Sequence, residues 1–216
     1  MSIHDANLES VNTFNKLADL YASKYFGLTQ YDRFYAMLAE RLPPSCSVID
    51  IACGPGNVAA YLQRVRPDIS IVGIDLAPNM IAEAKRRVPG VEFHVGDCRK
   101  LEDFGTGFQG AVFAFGLSYL PEADAQQFFA SLSQVLADNA FFLLATITGT
   151  ESVSRHESSS SGDRVLMVYR TPEEVTALAK SHGFSVEYAE LLPSPANAPF
   201  ATTDLVLLVS KAAVAA

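Results

Sequence analysis

The sequence of 216 residues predicts an α/β fold: a mostly parallel sheet with helices on both faces, closed by an antiparallel pair at its C-terminal end. Three observations predict it. Apolar runs near 47–51, 69–74, 91–95, 110–115 and 140–147 alternate with helical patterns near 57–66, 78–88 and 122–137, as expected of strands buried on both faces. The stretch from Val48 to Asn57 reads as a strand that breaks into a tight glycine turn and opens a helix. The last two strand-like runs, 184–188 and 204–209, have only a loop between them and should therefore pair antiparallel.

The elements follow in order. Across 5–41, Leu8, Val11, Phe14, Leu17, Leu20 and Tyr21 recur at helical spacing, and a second helix fits Tyr31 to Leu42 with Gly27 as the break. Pro43 and Pro44 end this leader, which could serve as a lid, a cap or a packing arm. In the helix near 122–137, Phe128, Phe129, Leu132, Val135 and Leu136 share one face. Residues 148–163, with Gly149, Gly162 and serines at 158–161, read as a flexible loop, and loops of that length are often lids or binding loops. Thr171, Pro172, Glu173 and Glu174 form a helix start: a cap, a proline at the first helical position and acids in the first turn. His182 and Gly183 end that helix. No internal repeat interrupts this order. The whole, 1–216, reads as one domain, with a helical lid over 1–44, a cofactor-binding core over 45–147, and a substrate loop and terminal hairpin over 148–216.

Composition narrows the function. Apolar residues make up 49% of the chain, enough for a substantial core. The net charge is −8, and the densest basic run, Lys85 to Arg87, falls at a helix C-terminus where the dipole favours cations. Duplex nucleic acid and anionic membrane surfaces are therefore disfavoured partners. The three cysteines, Cys46, Cys53 and Cys98, match no zinc spacing and cannot all pair within one chain; no metal site is expected. With no visible signal peptide, a reducing cytoplasm is the expected setting. The longest apolar runs are too short to span a bilayer.

Chemistry concentrates at the strand ends. Asp50 precedes Gly54 and Gly56, Asp75 closes the second strand, and Asp97 follows the third after Gly96. Glycines let a backbone approach a ligand closely, and a carboxylate at a strand end can accept from ribose hydroxyls. The expected ligand is a nucleoside-bearing cofactor. A nicotinamide-dependent oxidoreductase shares part of this pattern, since Asp75 lies about 20 residues beyond Gly54. Asp50 before the glycines, Asp97 at the third strand end and the terminal antiparallel pair argue against it.

The order and residue types resemble the class I S-adenosylmethionine-dependent methyltransferases, over about residues 10–211. The resemblance implies a Rossmann-like, seven-stranded sheet with a reversed C-terminal strand. It implies S-adenosyl-L-methionine as cofactor, S-adenosyl-L-homocysteine as product and a small-molecule acceptor, in a monomer or homodimer. Asp50, Ala52, Gly54 and Gly56 occupy the family's glycine motif, with Ala52 a departure from glycine whose carbonyl would serve the cofactor amino group. Cys53 and Pro55 complete that turn. Asp75 would hold the ribose hydroxyls, Leu76 and Met80 would pack on adenine and ribose, and Asp97 and the Cys98 amide would bind the adenine edge. Phe115 and Gly116 would line the methionine side. Asn15, Ala18 and Tyr21 resemble a leader that closes over the cofactor. Tyr21 fits either a methionyl contact or leader packing. Gln109 replaces a common Asp, Asp138 to Ala140 replaces a Pro-Gly-Gly turn, and Ser118 and Tyr119 stand where many members carry histidines, which puts histidine catalysis there in doubt. Tyr119, His156 and Tyr169 are candidate acceptor-side residues; Tyr119 fits a core ring equally well, and His156 fits a solvated loop residue. Methyl transfer from a sulfonium is an in-line displacement needing mainly alignment and dryness, so no catalytic residue is assigned. The alternative of a different class is a non-catalytic cofactor-binding or partner protein.

Overall fold

The structure, a computed structural model, describes residues 7–158, 162–196, 198 and 201–213. The leader forms α1 (Leu8–Lys16), α2 (Ala18–Tyr25) and α3 (Asp32–Ala39). Beyond it come β1 (Ser47–Ile51), α4 (Asn57–Val65), β2 (Ser70–Asp75), α5 (Pro78–Arg87), β3 (Glu92–Val95) and β4 (Phe108–Ala114). Next are α6 (Glu122–Val135), β5 (Leu136–Thr148), β6 (Val153–Ser158), β7 (Arg164–Tyr169), α7 (Pro172–Ser181), β8 (Phe184–Pro193) and β9 (Thr203–Lys211). Seven strands form one sheet in the order β3-β2-β1-β4-β5-β9-β8. Strands β1 to β5 run parallel, and β9 runs antiparallel to both of its neighbours.

The period of two along each strand sorts the core onto two faces. Ile49, Ile51, Phe113, Phe142, Leu144, Leu205 and Leu207 meet α6 and α7 through Phe128, Phe129, Leu132, Val175 and Leu178. Val48, Val112, Leu143, Val206 and Leu208 meet α3, α4 and α5 through Phe34, Leu38, Leu62 and Ile81. The cap of α7 is a full capping box. Thr171 Oγ1 accepts from the Glu174 amide at 3.2 Å, and Glu174 Oε2 accepts from the Thr171 amide at 2.8 Å.

Three expectations change. The first part of the leader is two helices, because the backbone at Leu17 leaves helical geometry (φ −99°, ψ 14°). That break lets α1 lie on β7 while α2 packs on α5. Within the stretch expected to be a flexible loop, residues 153–158 form a strand instead: β6 and β7 pair antiparallel from Val153 with Tyr169 to Ser158 with Arg164. Every β6 side chain except Glu157 is exposed, so backbone pairing rather than burial holds the strand, and no apolar alternation marks it in the sequence. Serines 159–161 lie outside the described residues. Finally, Asp138 to Ala140 is no turn between elements but lies inside a longer β5. There Asn139 takes φ 60°, and the register with β4 shifts between Phe108 and Gly110.

Candidate active site

The chain builds β1, β2 and β3 outward to one side, then crosses back to lay β4 and β5 on the other side of β1. This reversal leaves a crevice beyond the C-terminal ends of β1 and β4, the place where open α/β sheets bind ligands. Two residues without the freedom of glycine sit there in left-handed backbone: Ala52 after β1 (φ 50°) and Phe115 after β4 (φ 66°). Such geometry costs a residue with a Cβ about 1–2 kcal/mol and clusters at functional sites. Gly54 (φ 53°) and Gly56 (φ 88°) complete the turn, and a Cβ built on Gly54 would meet nothing within 4 Å. A Cβ on Gly116 would lie 2.0 Å from the Phe113 ring, so that position requires glycine.

Asp75 ties this turn to the next. Its Oδ2 accepts from the Gly54 amide at 2.9 Å and its Oδ1 from the Ala77 amide at 2.9 Å. A carboxylate has about four acceptor sites, so capacity remains on both oxygens. Burial pushes its pKa above the ordinary carboxylate value, opposed by these two amides. A cavity of about 140 Å³ opens beside it, bordered by Leu76, Met80, Asp97 and Cys98 and covered by Tyr21 and Phe14. Asp97 is already engaged: Arg99 grips both carboxylate oxygens, with Nη2 to Oδ2 at 2.6 Å and Nε to Oδ1 at 2.9 Å. Arg99 borders the same cavity and also reaches Asp124 at 3.2 Å.

A second cavity of about 870 Å³ adjoins the first and shares Phe14, Tyr21, Ala52, Gly54, Phe115 and Tyr119 with it. It runs beneath the leader and beside the β6–β7 hairpin, with Asp50, Cys53 and Pro55 on its floor. Tyr169 borders it and donates its hydroxyl to Glu157 at 2.6 Å. His156 borders neither cavity; it faces Glu9 at 3.1 Å on the exposed side of the hairpin. The leader is stitched over the hairpin by three further contacts. Ser10 Oγ accepts from the Leu166 amide at 2.9 Å, Thr13 Oγ1 donates to the Arg164 carbonyl at 2.7 Å, and Lys16 pairs with Asp163 at 2.7 Å. On its other side, Asn15 Oδ1 accepts from the Asn79 amide at 2.8 Å.

Burial dominates the electrostatics. Asp50, beneath the start of α4, accepts from the Ala59 amide at 3.1 Å and is pushed up to about 7 by burial. The thiols of Cys53 and Cys98 and the hydroxyls of Tyr21 and Tyr119 are all pushed up by burial, so each stays protonated at neutral pH. Asn57, at the first turn of α4, donates Nδ2 to the Tyr25 carbonyl at 2.8 Å and leaves a buried Oδ1 without a hydrogen bond. An orphan acceptor beside a glycine turn and an underused carboxylate at the next strand end fit a ligand with an ammonium group and a ribose diol. Among the described residues no cluster could hold a metal ion, and no helix is long and apolar enough to cross a membrane.

No sequence motif marks Arg99 or Asn57 as part of the site. None marks a pair that borders the larger cavity either: Tyr31 donates its hydroxyl to Asp204 Oδ2 at 2.6 Å. These two partners are 173 residues apart, and no local pattern joins them.

This geometry is that of the class I methyltransferase fold, and the sequence agrees. Residues 48–139 match the family model described as a methyltransferase domain. The chain is similar to trans-aconitate 2-methyltransferase of Methylobacterium nodulans, 39% identical over 88 residues, which is 39% of this chain and 34% of that enzyme. The chain spans about half or less of each curated relative it matches. Among solved structures, a DhpI–SAH complex is similar at TM-score 0.72 and 19% identity, covering 98% of this chain and 99% of that one. The [4+2]-cyclase SpnF is similar at TM-score 0.74 and 15% identity, covering 96% and 97%. At these identities the likeness is one of fold.

Proposed function

We propose that this protein binds S-adenosylmethionine across the two cavities and transfers its methyl group to a small molecule held in the larger one. The observation that carries this reading is the junction. A chamber ending at Asp75 and the glycine turn shares a wall of Phe14, Tyr21, Phe115 and Tyr119 with a cavity of about 870 Å³. That volume lies in the range of about 300–1,000 Å³ usual for small-molecule sites. When bound, the cofactor supplies an activated methyl group on a sulfonium. The chain's own residues then have three tasks. Asp75 holds the ribose, Ala52 and Asn57 receive the methionyl amino group, and the aromatic wall excludes water where donor and acceptor meet. The leader and hairpin form the roof, and their contacts set how tightly the acceptor is enclosed.

Calorimetric titration tests the reading. S-adenosylmethionine and S-adenosylhomocysteine should bind at micromolar Kd and NADH should not. Binding of NADH alone overturns the assignment. Because a chain described as a cyclase shares the fold, methyl transfer needs its own demonstration: a mass increase in the acceptor accompanied by stoichiometric S-adenosylhomocysteine. Bound cofactor with no turnover across a broad acceptor panel favours a cofactor-binding partner protein instead.

A further inference from the structure

The larger cavity is acidic and tyrosine-rich. Five carboxylates border it (Asp32, Asp50, Glu157, Asp163 and Asp204), against a single cationic side chain among the described residues, Arg64. Seven of the chain's eight tyrosines border it as well. Most of the acids are occupied. Asp32 faces Arg64 at 4.0 Å, Asp50 takes the Ala59 amide, Glu157 takes the Tyr169 hydroxyl, and Asp163 takes Lys16. Asp204 differs. It is 1% exposed, its Oδ2 receives the Tyr31 hydroxyl, and its Oδ1 is buried with no hydrogen bond.

A buried carboxylate oxygen without a donor is costly and calls for an explanation. Packing does not supply one, because the strand neighbours of Asp204 are Ile147 and Leu192, which offer no side-chain donor. Its face of β9 is the one α3 covers, where Val206 and Leu208 also point, and Asp204 is among the residues that border the cavity there. A ligand N–H completes the carboxylate by a charge-assisted hydrogen bond. Cations already sit over three of the bordering tyrosines, Lys24 over Tyr25, Arg64 over Tyr61 and Arg155 over Tyr169, and the remaining rings favour a cation in the same way.

We propose that Asp204, held by Tyr31, is the recognition point for the methyl acceptor, and that the acceptor is an aromatic or otherwise apolar amine rather than an alcohol or a carboxylate. This deepens the methyltransferase reading and rests on it. Asp204 binds and orients the amine and takes the proton that must leave the nitrogen before its lone pair can receive the methyl group, and Tyr31 is a positioning residue that fixes the carboxylate.

The test uses the full chain saturated with S-adenosylhomocysteine and calorimetry on scaffold-matched probes. These are phenethylamine, 2-phenylethanol and phenylacetate, then tryptamine, tryptophol and indole-3-acetate, with trans-aconitate as a polyanion. We expect the amine to bind at least about tenfold more tightly than its alcohol, and the carboxylates to bind least. In Asp204→Asn that preference should fall below about threefold, with S-adenosylhomocysteine affinity unchanged. Tyr31→Phe, which keeps the carboxylate but removes the hydrogen bond that fixes it, should weaken the preference without abolishing it. Equal or tighter binding of alcohol or carboxylate, no amine binding while S-adenosylhomocysteine binds, or a preference that survives Asp204→Asn overturns the proposal. Should Asp204→Asn not fold, the wild-type series decides alone. Failure of S-adenosylhomocysteine itself to bind is a failure of the parent reading and is seen first.

Discussion

Asp75 does two jobs at the scale of a single residue. It receives the Gly54 and Ala77 amides, and so sets the shape of the turn it is proposed to share with the ribose. Asp75→Ala removes the acceptor for both amides as well as for the ligand. We expect S-adenosylmethionine affinity to fall more than about tenfold, since hydrogen bonds to a charged group contribute about 1.5–3 kcal/mol; unchanged affinity in calorimetry counts against the site. Ala52 offers a stability test. Its φ of 50° is the geometry glycine takes without penalty. Relief of that strain, set against glycine's extra unfolded-state entropy, nets about 0.5–1 kcal/mol for Ala52→Gly. That amounts to a rise in Tm of about 2 °C, and a fall measured by differential scanning calorimetry contradicts it. The residues at the ends of β1, β2 and β3 were legible because each stands next to its own turn in the sequence. Tyr31, Arg99 and Asp204 were not, because their roles depend on partners brought together only by the finished sheet.

At the scale of elements, the roof of the larger cavity is one composite of α1 and the β6–β7 hairpin. Its buried stitch is Ser10, 2% exposed, whose hydroxyl takes the Leu166 amide. Ser10→Ala leaves that amide without a partner, at a cost of about 1–3 kcal/mol. We expect faster amide hydrogen exchange across β6 and β7, with exchange in β1 and β4 unchanged. Uniform acceleration throughout the chain contradicts a local roof. The Glu9, His156 and Arg164 cluster is exposed and adds little by comparison. The parallel strands and α7 were legible from apolar runs and from Thr171, Pro172 and Glu174. The hairpin was hidden because β6 buries almost nothing, and the split at Leu17 because both halves of the leader keep the same apolar spacing.

For the whole molecule, the crevice between β1 and β4 makes the unliganded chain sensitive to pH. Burial raises Asp50 to about 7, above the ordinary value of 3.8. The folded chain therefore binds a proton that the unfolded chain lacks between these two values. Stability from this group rises as pH falls through about 7 and is lost as pH rises. Asp75 and Asp204 are raised by burial too and act with the same sign. Glu83 and Glu102, held below the usual range by Arg86 and by backbone and Ser131 hydrogen bonds respectively, act with the opposite sign only in the acid range below about pH 4.5. We expect Tm of the unliganded protein to rise from pH 8 to pH 6, and Asp50→Asn to flatten that slope. A Tm that falls over the same interval contradicts the burial of an ionisable Asp50.

In the proposed function the chamber at Asp75 holds an adenosyl group and the larger cavity holds the acceptor. A crystal structure with S-adenosylhomocysteine tests it most directly. Both ribose hydroxyls are expected within about 2.5–3.0 Å of Asp75 oxygens, the methionyl amino group near Ala52 and Asn57, and the sulfur at the aromatic wall facing Asp204 across open space. Ribose bound away from Asp75, or a methionyl chain that fills the cavity as far as Tyr31 and Asp204, contradicts it.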